Sequence, residues 1–186
     1  MICSEPDQAS NPDDGAIRTY SGLRFKPLDP DPALIRIEDI AHSLAHQCRF
    51  GGHSRVFYSV AQHSVRVSEI CATEDALWGL LHDASEAYLV DVPAPLKQLP
   101  EFAAYRRAEQ RLQAIIFERF GLPAQQPKSV AAADLQLLMI EMRELFGVEP
   151  GESISETECW SPIVAEERFL ERFRQLGGNF ICESAR

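Results

Sequence analysis

The chain has 186 residues, 45% of them hydrophobic, and 28 acidic against 18 basic side chains give a net charge of −10. This length implies one domain able to bury a real core without staples, and the negative charge argues against nucleic acid or an anionic membrane surface as a partner. No apolar run approaches a membrane span, the first 14 residues have neither the basic nor the apolar region of a signal peptide, and five cysteines without a CxxC fit a reduced, cytoplasmic protein.

Residues 1–16 are polar, with Pro6, Pro12 and a DDG, and read as a disordered tail ahead of a single domain over 17–180. Thr19–Phe25 reads as a short hairpin turning at Ser21-Gly22, and Lys26–Pro32, with three prolines, as a loop. Glu38–Cys48 is expected to be helical, broken by the two glycines of Arg49–Arg55. A second helix is expected over Phe57–Cys71, with Val60, Val67 and Ile70 on its inner face together with His63.

The next helix, over 76–90, places Leu77, Leu81, Ala84 and Tyr88 on a core stripe. His82, Asp83 and Glu86 fall on a second stripe, with Gly79 one turn earlier leaving room over them. The helix ends near Asp91, before the stiff turn of Pro93 and Pro95. A long helix over Glu101–Phe120 turns Tyr105, Ala108, Leu112, Ile115 and Ile116 inward and stops at Gly121-Leu-Pro. Ser129–Phe146 carries the dense run LQLLMIEM, Gly147–Ser161 is a loop, and Pro162–Leu176 is a last amphipathic helix with Ile163, Phe169, Leu170 and Phe173 inward. Almost nothing reads as strand, so the expected fold is all-α.

The expensive residues are the polar ones on inward faces. Buried charge must be paired or must coordinate metal. His63, His82, Asp83 and Asp134 together offer two imidazoles and two carboxylates, a mixed N/O set for a divalent first-row metal. His42 and His46 stand at i and i+4, a zinc-like spacing, but Ser43 occupies the place where the metalloprotease pattern needs a Glu. That pair reads as a helix face or an outer support to the main site.

The order His63, His82-Asp83, Asp134 resembles the H…HD…D signature of the HD-domain metal-dependent phosphohydrolases. The resemblance is to the 5′-deoxynucleotidase branch, which has a Glu three and an Asp eight residues past the motif Asp. Here these are Glu86 and Asp91, and Asp91-Val-Pro93-Ala-Pro95-Leu-Lys97 matches the branch's D-x-P-x-P-x-K. Arg49-Phe50, 14 and 13 residues before His63, match its Arg-aromatic pair. RFGGHS followed by FYSVAQHS also looks like small phage and bacterial relatives that act on deoxynucleoside triphosphates. The resemblance spans Thr19 to Phe173 and implies an HD-domain helical bundle.

It further implies one divalent ion (manganese, cobalt, zinc or magnesium) held by His63, His82, Asp83 and Asp134. No histidine follows His82, which favours a mononuclear hydrolase over two-metal relatives. Glu86 is implied as general base or as the acid for the leaving oxygen, and Asp91 as orienting water or the leaving group, or else capping the proline turn. Arg49 and Lys97 are the implied phosphate cations, Phe50 a base-stacking or core ring, and His53 a contact to phosphate or sugar. The expected function is release of phosphate from deoxynucleoside 5′-monophosphates by a cytoplasmic enzyme, a homo-oligomer like many of its relatives. The alternatives are a triphosphohydrolase releasing triphosphate and a non-enzymatic nucleotide sensor, though a sensor would be expected to lack a ligand or Glu86.

Overall fold

The computed structural model describes residues 14–146 and 159–178. It is all-α apart from a two-stranded hairpin, β1 (Ile17–Arg18) and β2 (Arg24–Phe25), antiparallel with Ile17 opposite Phe25. Of the tail expected over 1–16, residues 1–13 lie outside the described residues; Asp14 pairs with Arg24 and with Lys26. Most of the loop expected over 147–161 likewise lies outside them.

The longer helices are α1 (Ile37–His46), α2 (Val60–Ile70), α6 (Ala103–Arg119), α7 (Lys128–Phe146) and α8 (Pro162–Gln175). Three short ones lie between α2 and α6: α3 (Ala76–Leu81), α4 (Glu86–Leu89) and α5 (Ala94–Lys97). Helix α2 starts later than its apolar pattern suggests because Ser59 caps it, its hydroxyl accepting from the Gln62 N–H. The residue before it is extended, and Cys48 and Ser59 form an antiparallel bridge. A largely apolar core joins α1, α2, α3 and α8, with Leu44, Val60, Leu80, Leu81, Phe169 and Phe173 fully buried. Leu112, Ile116 and Phe117 bring α6 onto it.

Two inward assignments fail. Ile70 is 38% and Ile163 69% exposed; each sits at a helix end, where the buried stripe has already rotated past the core. The run LQLLMIEM is also not buried all round, since Leu135, Met139 and Met142 are exposed on α7.

The helix expected over 76–90 is interrupted where its polar stripe begins. Between α3 and α4 the chain tightens into turns, with Ala84 N–H bonding Leu81 O and Glu86 N–H bonding Asp83 O. The cause is Gln113 on α6. Its Nε2 donates to Leu81 O at 2.6 Å, and its Oε1 accepts from Ser85 N–H at 2.9 Å. Those two groups would have bonded each other in a continuous helix; a side chain inserted into the ladder takes both.

Gly79 serves a different purpose from the one expected. A Cβ there would lie 2.8 Å from Cys71 Sγ and 3.0 Å from Ser68 Cα. The glycine thus lets α3 press onto the backbone of α2, setting the spacing between the helices that carry His82 and His63. Gly79→Ala is expected to cost about 1–3 kcal/mol of stability, as overpacking does. Urea unfolding measures it, and an unchanged midpoint would show that α2 and α3 are free to separate.

Candidate metal centre

Three elements converge on one point: α2 brings His63, the turn after α3 brings His82 and Asp83, and α7 brings Asp134. His82 Nε2 lies 3.3 Å from His63 Nε2 and 3.1 Å from Asp83 Oδ2. Asp134 Oδ1 lies 3.1 Å from His63 Nε2 and 4.0 Å from His82 Nε2. Asp83 Oδ2 is 3.8 Å from His63 Nε2. His63, His82 and Asp134 each offer a ligand atom within 4.8 Å of the others.

The hydrogen bonds behind the rings fix what faces this point. His82 Nδ1 lies 2.8 Å from Gly79 O, and a carbonyl only accepts, so Nδ1 carries the proton. His63 Nδ1 lies 2.8 Å from Glu141 Oε1 and donates to that carboxylate. With Nδ1 committed on each ring, Nε2 is the nitrogen that faces the two carboxylates, where it holds a proton or a metal ion. Two imidazoles and two carboxylates packed this closely need positive charge among them, as protons or as a metal ion. The crowding shows at His82: burial alone pulls its pKa down, but the Asp83 and Asp134 carboxylates overcome this and raise it to about 9. The same two imidazoles and two carboxylates fit a divalent first-row metal.

Glu141 is the residue that sequence reasoning missed. Fully buried on α7, it holds His63 on one oxygen while its other lies 3.1 Å from Arg49 Nη2. Burial works against its ionised form, but His63 and Arg49 keep its pKa below the ordinary value. A carboxylate behind a ligating imidazole fixes ring and tautomer. The available signal was a charged residue seven positions after Asp134, on the same face of a helix.

The other expected site residues lie around this cluster. Arg49, buried at the start of a 3₁₀ turn over Arg49–Gly52, reaches Asp83 Oδ2 at 3.7 Å as well as Glu141. Glu86 is buried at the head of α4, and its Oε2 has no hydrogen-bond partner among the described residues. Burial, reinforced by Asp83 and Asp91, pushes the Glu86 pKa well above its ordinary value. Lys97 is not a free cation: its Nζ lies 2.6 Å from both Glu86 Oε1 and Glu109 Oε1. Asp91 is partly buried, with its pKa raised by burial against the pull of Arg49. Ahead of it, Val90 adopts φ 71°, a strained choice for a β-branched residue. Gln47 holds both sides of this bend, donating to Glu86 O and accepting from Asp91 N–H.

Phe50 meets Phe146 edge-on at 5.2 Å, and the Arg49 guanidinium lies 5.1 Å from its ring centre. His53 is exposed and is not one of the ligand-bearing residues grouped with His63.

No family model matches the chain. Two bacterial proteins are similar to it over most of their length. Uncharacterized protein YfdR of Escherichia coli (strain K12) is 42% identical over 171 residues, 86% of this chain and 94% of that protein. An uncharacterized protein of Rhodobacter capsulatus is 38% identical over 149 residues, 73% of this chain and 76% of that protein. The chain belongs to the same family as YfdR.

Proposed function

We propose that the protein is a divalent-metal-dependent phosphohydrolase of the HD-domain type, acting in the cytoplasm on deoxynucleoside 5′-monophosphates. The observation that carries this reading is the meeting of two imidazole Nε2 atoms with two carboxylates, each imidazole fixed from behind. His63, His82, Asp83 and Asp134 would hold the ion, which supplies Lewis acidity that acidifies water and neutralises phosphoryl charge.

The remaining chemistry belongs to the chain. Glu86, with a buried and unpartnered Oε2, holds a proton and delivers it to the leaving 5′ oxygen. Lys97, itself held by Glu109, holds Glu86 in place. Asp91, close behind the Val90 bend, orients the attacking water. Arg49 turns from its carboxylate partners to the phosphate, whose oxygens suit a guanidinium fork. Phe50 forms one wall for the base, and His53 at the rim meets the sugar or phosphate.

Lys97 favours a monophosphate over a triphosphate. Held between two carboxylates, it is not available to the end of a longer phosphate tail. The protein is also read as a homo-oligomer, since Leu135, Met139 and Met142 lie exposed at i, i+4 and i+7 on α7.

Chromatography of products from Mn²⁺-loaded protein given deoxynucleoside mono- and triphosphates tests the substrate. Orthophosphate from the monophosphates is expected. Intact triphosphate released from the triphosphates would overturn the monophosphate assignment.

A further inference from the structure

Between α1 and α8, a second group of ligand atoms is assembled from residues far apart in sequence. His42 and His46 share one face of α1, their ring centres 4.2 Å apart. Glu166 on α8 reaches the same place, its Oε2 lying 2.9 Å from His42 Nδ1. One ligand atom from each of the three lies within 4.8 Å of the others. We infer that His42, His46 and Glu166 form a second metal site, for a borderline divalent ion such as zinc, nickel or copper.

The surroundings favour a built site over a solvated helix face. His46 Nδ1 lies 2.8 Å from the His42 carbonyl, which can only accept, so its Nε2 is a bare lone pair. Tyr20 from the hairpin stacks on the His42 ring at 3.7 Å and 10°, fixing its plane. The Glu166 and His42 side chains are only 21% and 29% exposed, so both are partly withdrawn from water. Next to His42 lies a cavity of about 270 Å³, bordered by Tyr20, Asp39 and Ser43, with room for water to complete the coordination.

Two imidazoles and one carboxylate select against magnesium and calcium, which prefer all-oxygen sites. Entry of the ion displaces the proton shared by His42 and Glu166, and that proton leaves to solvent. The ion then joins α1 to α8, whereas the site at His63 joins α2, α3 and α7. The spacing of His42 and His46 is visible in the sequence; Glu166 is not, because 124 residues separate it from His42.

The test is equilibrium dialysis of metal-stripped full chain against Zn²⁺, counting ions bound per chain. His46→Gln is expected to bind one fewer than the wild type, whatever the main site holds, and to lose part of the rise in melting temperature that Zn²⁺ produces. His46 is exposed, so this variant keeps the fold. Glu166→Gln is expected to weaken the same ion at least tenfold. Equal stoichiometry and equal melting shifts in His46→Gln and wild type would overturn the site. So would an unchanged affinity in Glu166→Gln, which would leave only a pair of surface histidines.

Discussion

Glu141→Ala is expected to cost about 3–5 kcal/mol of stability, the usual consequence of breaking a buried ion pair. It leaves buried Arg49 with the more distant Asp83 at 3.7 Å, and it strands His63 Nδ1–H, whose hydrogen bond is fully enclosed. The same change frees the His63 ring to rotate or to move its proton to Nε2, which takes away the nitrogen proposed to bind metal. Metal affinity is therefore expected to fall about 10–100-fold, as it does when the support behind a ligand is lost. Glu141→Gln separates the two effects. It keeps an acceptor for His63 but gives up the charge opposite Arg49, so it should retain more metal affinity than stability. Denaturant unfolding together with Mn²⁺ titration checks both. Wild-type stability and affinity in Glu141→Ala would mean that His63 is oriented by something else.

Asp134→Ala is expected to behave in the opposite way. Its side chain is 43% exposed, so the helix should fold without it. Removing it takes away one of the four proposed ligands while leaving Glu141, one full heptad further along α7, in place. Phosphate release is expected to fall about a thousandfold, because a catalytic metal supplies several kcal/mol and each tenfold in rate is about 1.4 kcal/mol. Circular dichroism should show unchanged helix content. Activity within a few fold of wild type would remove Asp134 from the ligand set.

These two variants mark the limit of what the sequence made legible. Helix class followed from apolar periodicity, and His63, His82, Asp83 and Asp134 were recognisable because each is a polar residue set among apolar ones. Glu141 has the same character but sits in a run where LQLLMIEM looks like ordinary core. Its partner His63 lies 78 residues away, a distance that periodicity cannot bridge. The same limit hid Gln113. An amide on an exposed-looking helix gives no sign that it will enter the ladder of another helix 28 and 32 residues earlier. Without it, the expectation of an unbroken helix over 76–90 was the natural one, because the dihedrals at His82 and Ser85 remain helical even where the bonding does not.

Lys97 shows the same limit from the other side. Its motif position points to phosphate, and nothing in that motif shows that the fold also places the carboxylates of Glu86 and Glu109 against it. Pairing of this kind depends on α6 packing beside α5, which one-dimensional spacing does not contain.

The most direct measurement is orthophosphate release from a deoxynucleoside 5′-monophosphate by metal-stripped wild-type protein, before and after Mn²⁺ is restored. Silence when stripped and turnover on restoration, with Asp134→Ala silent in both states, is the expected result. Equal turnover with and without metal, or silence with one Mn²⁺ held at His63 and His82, would contradict the phosphohydrolase reading.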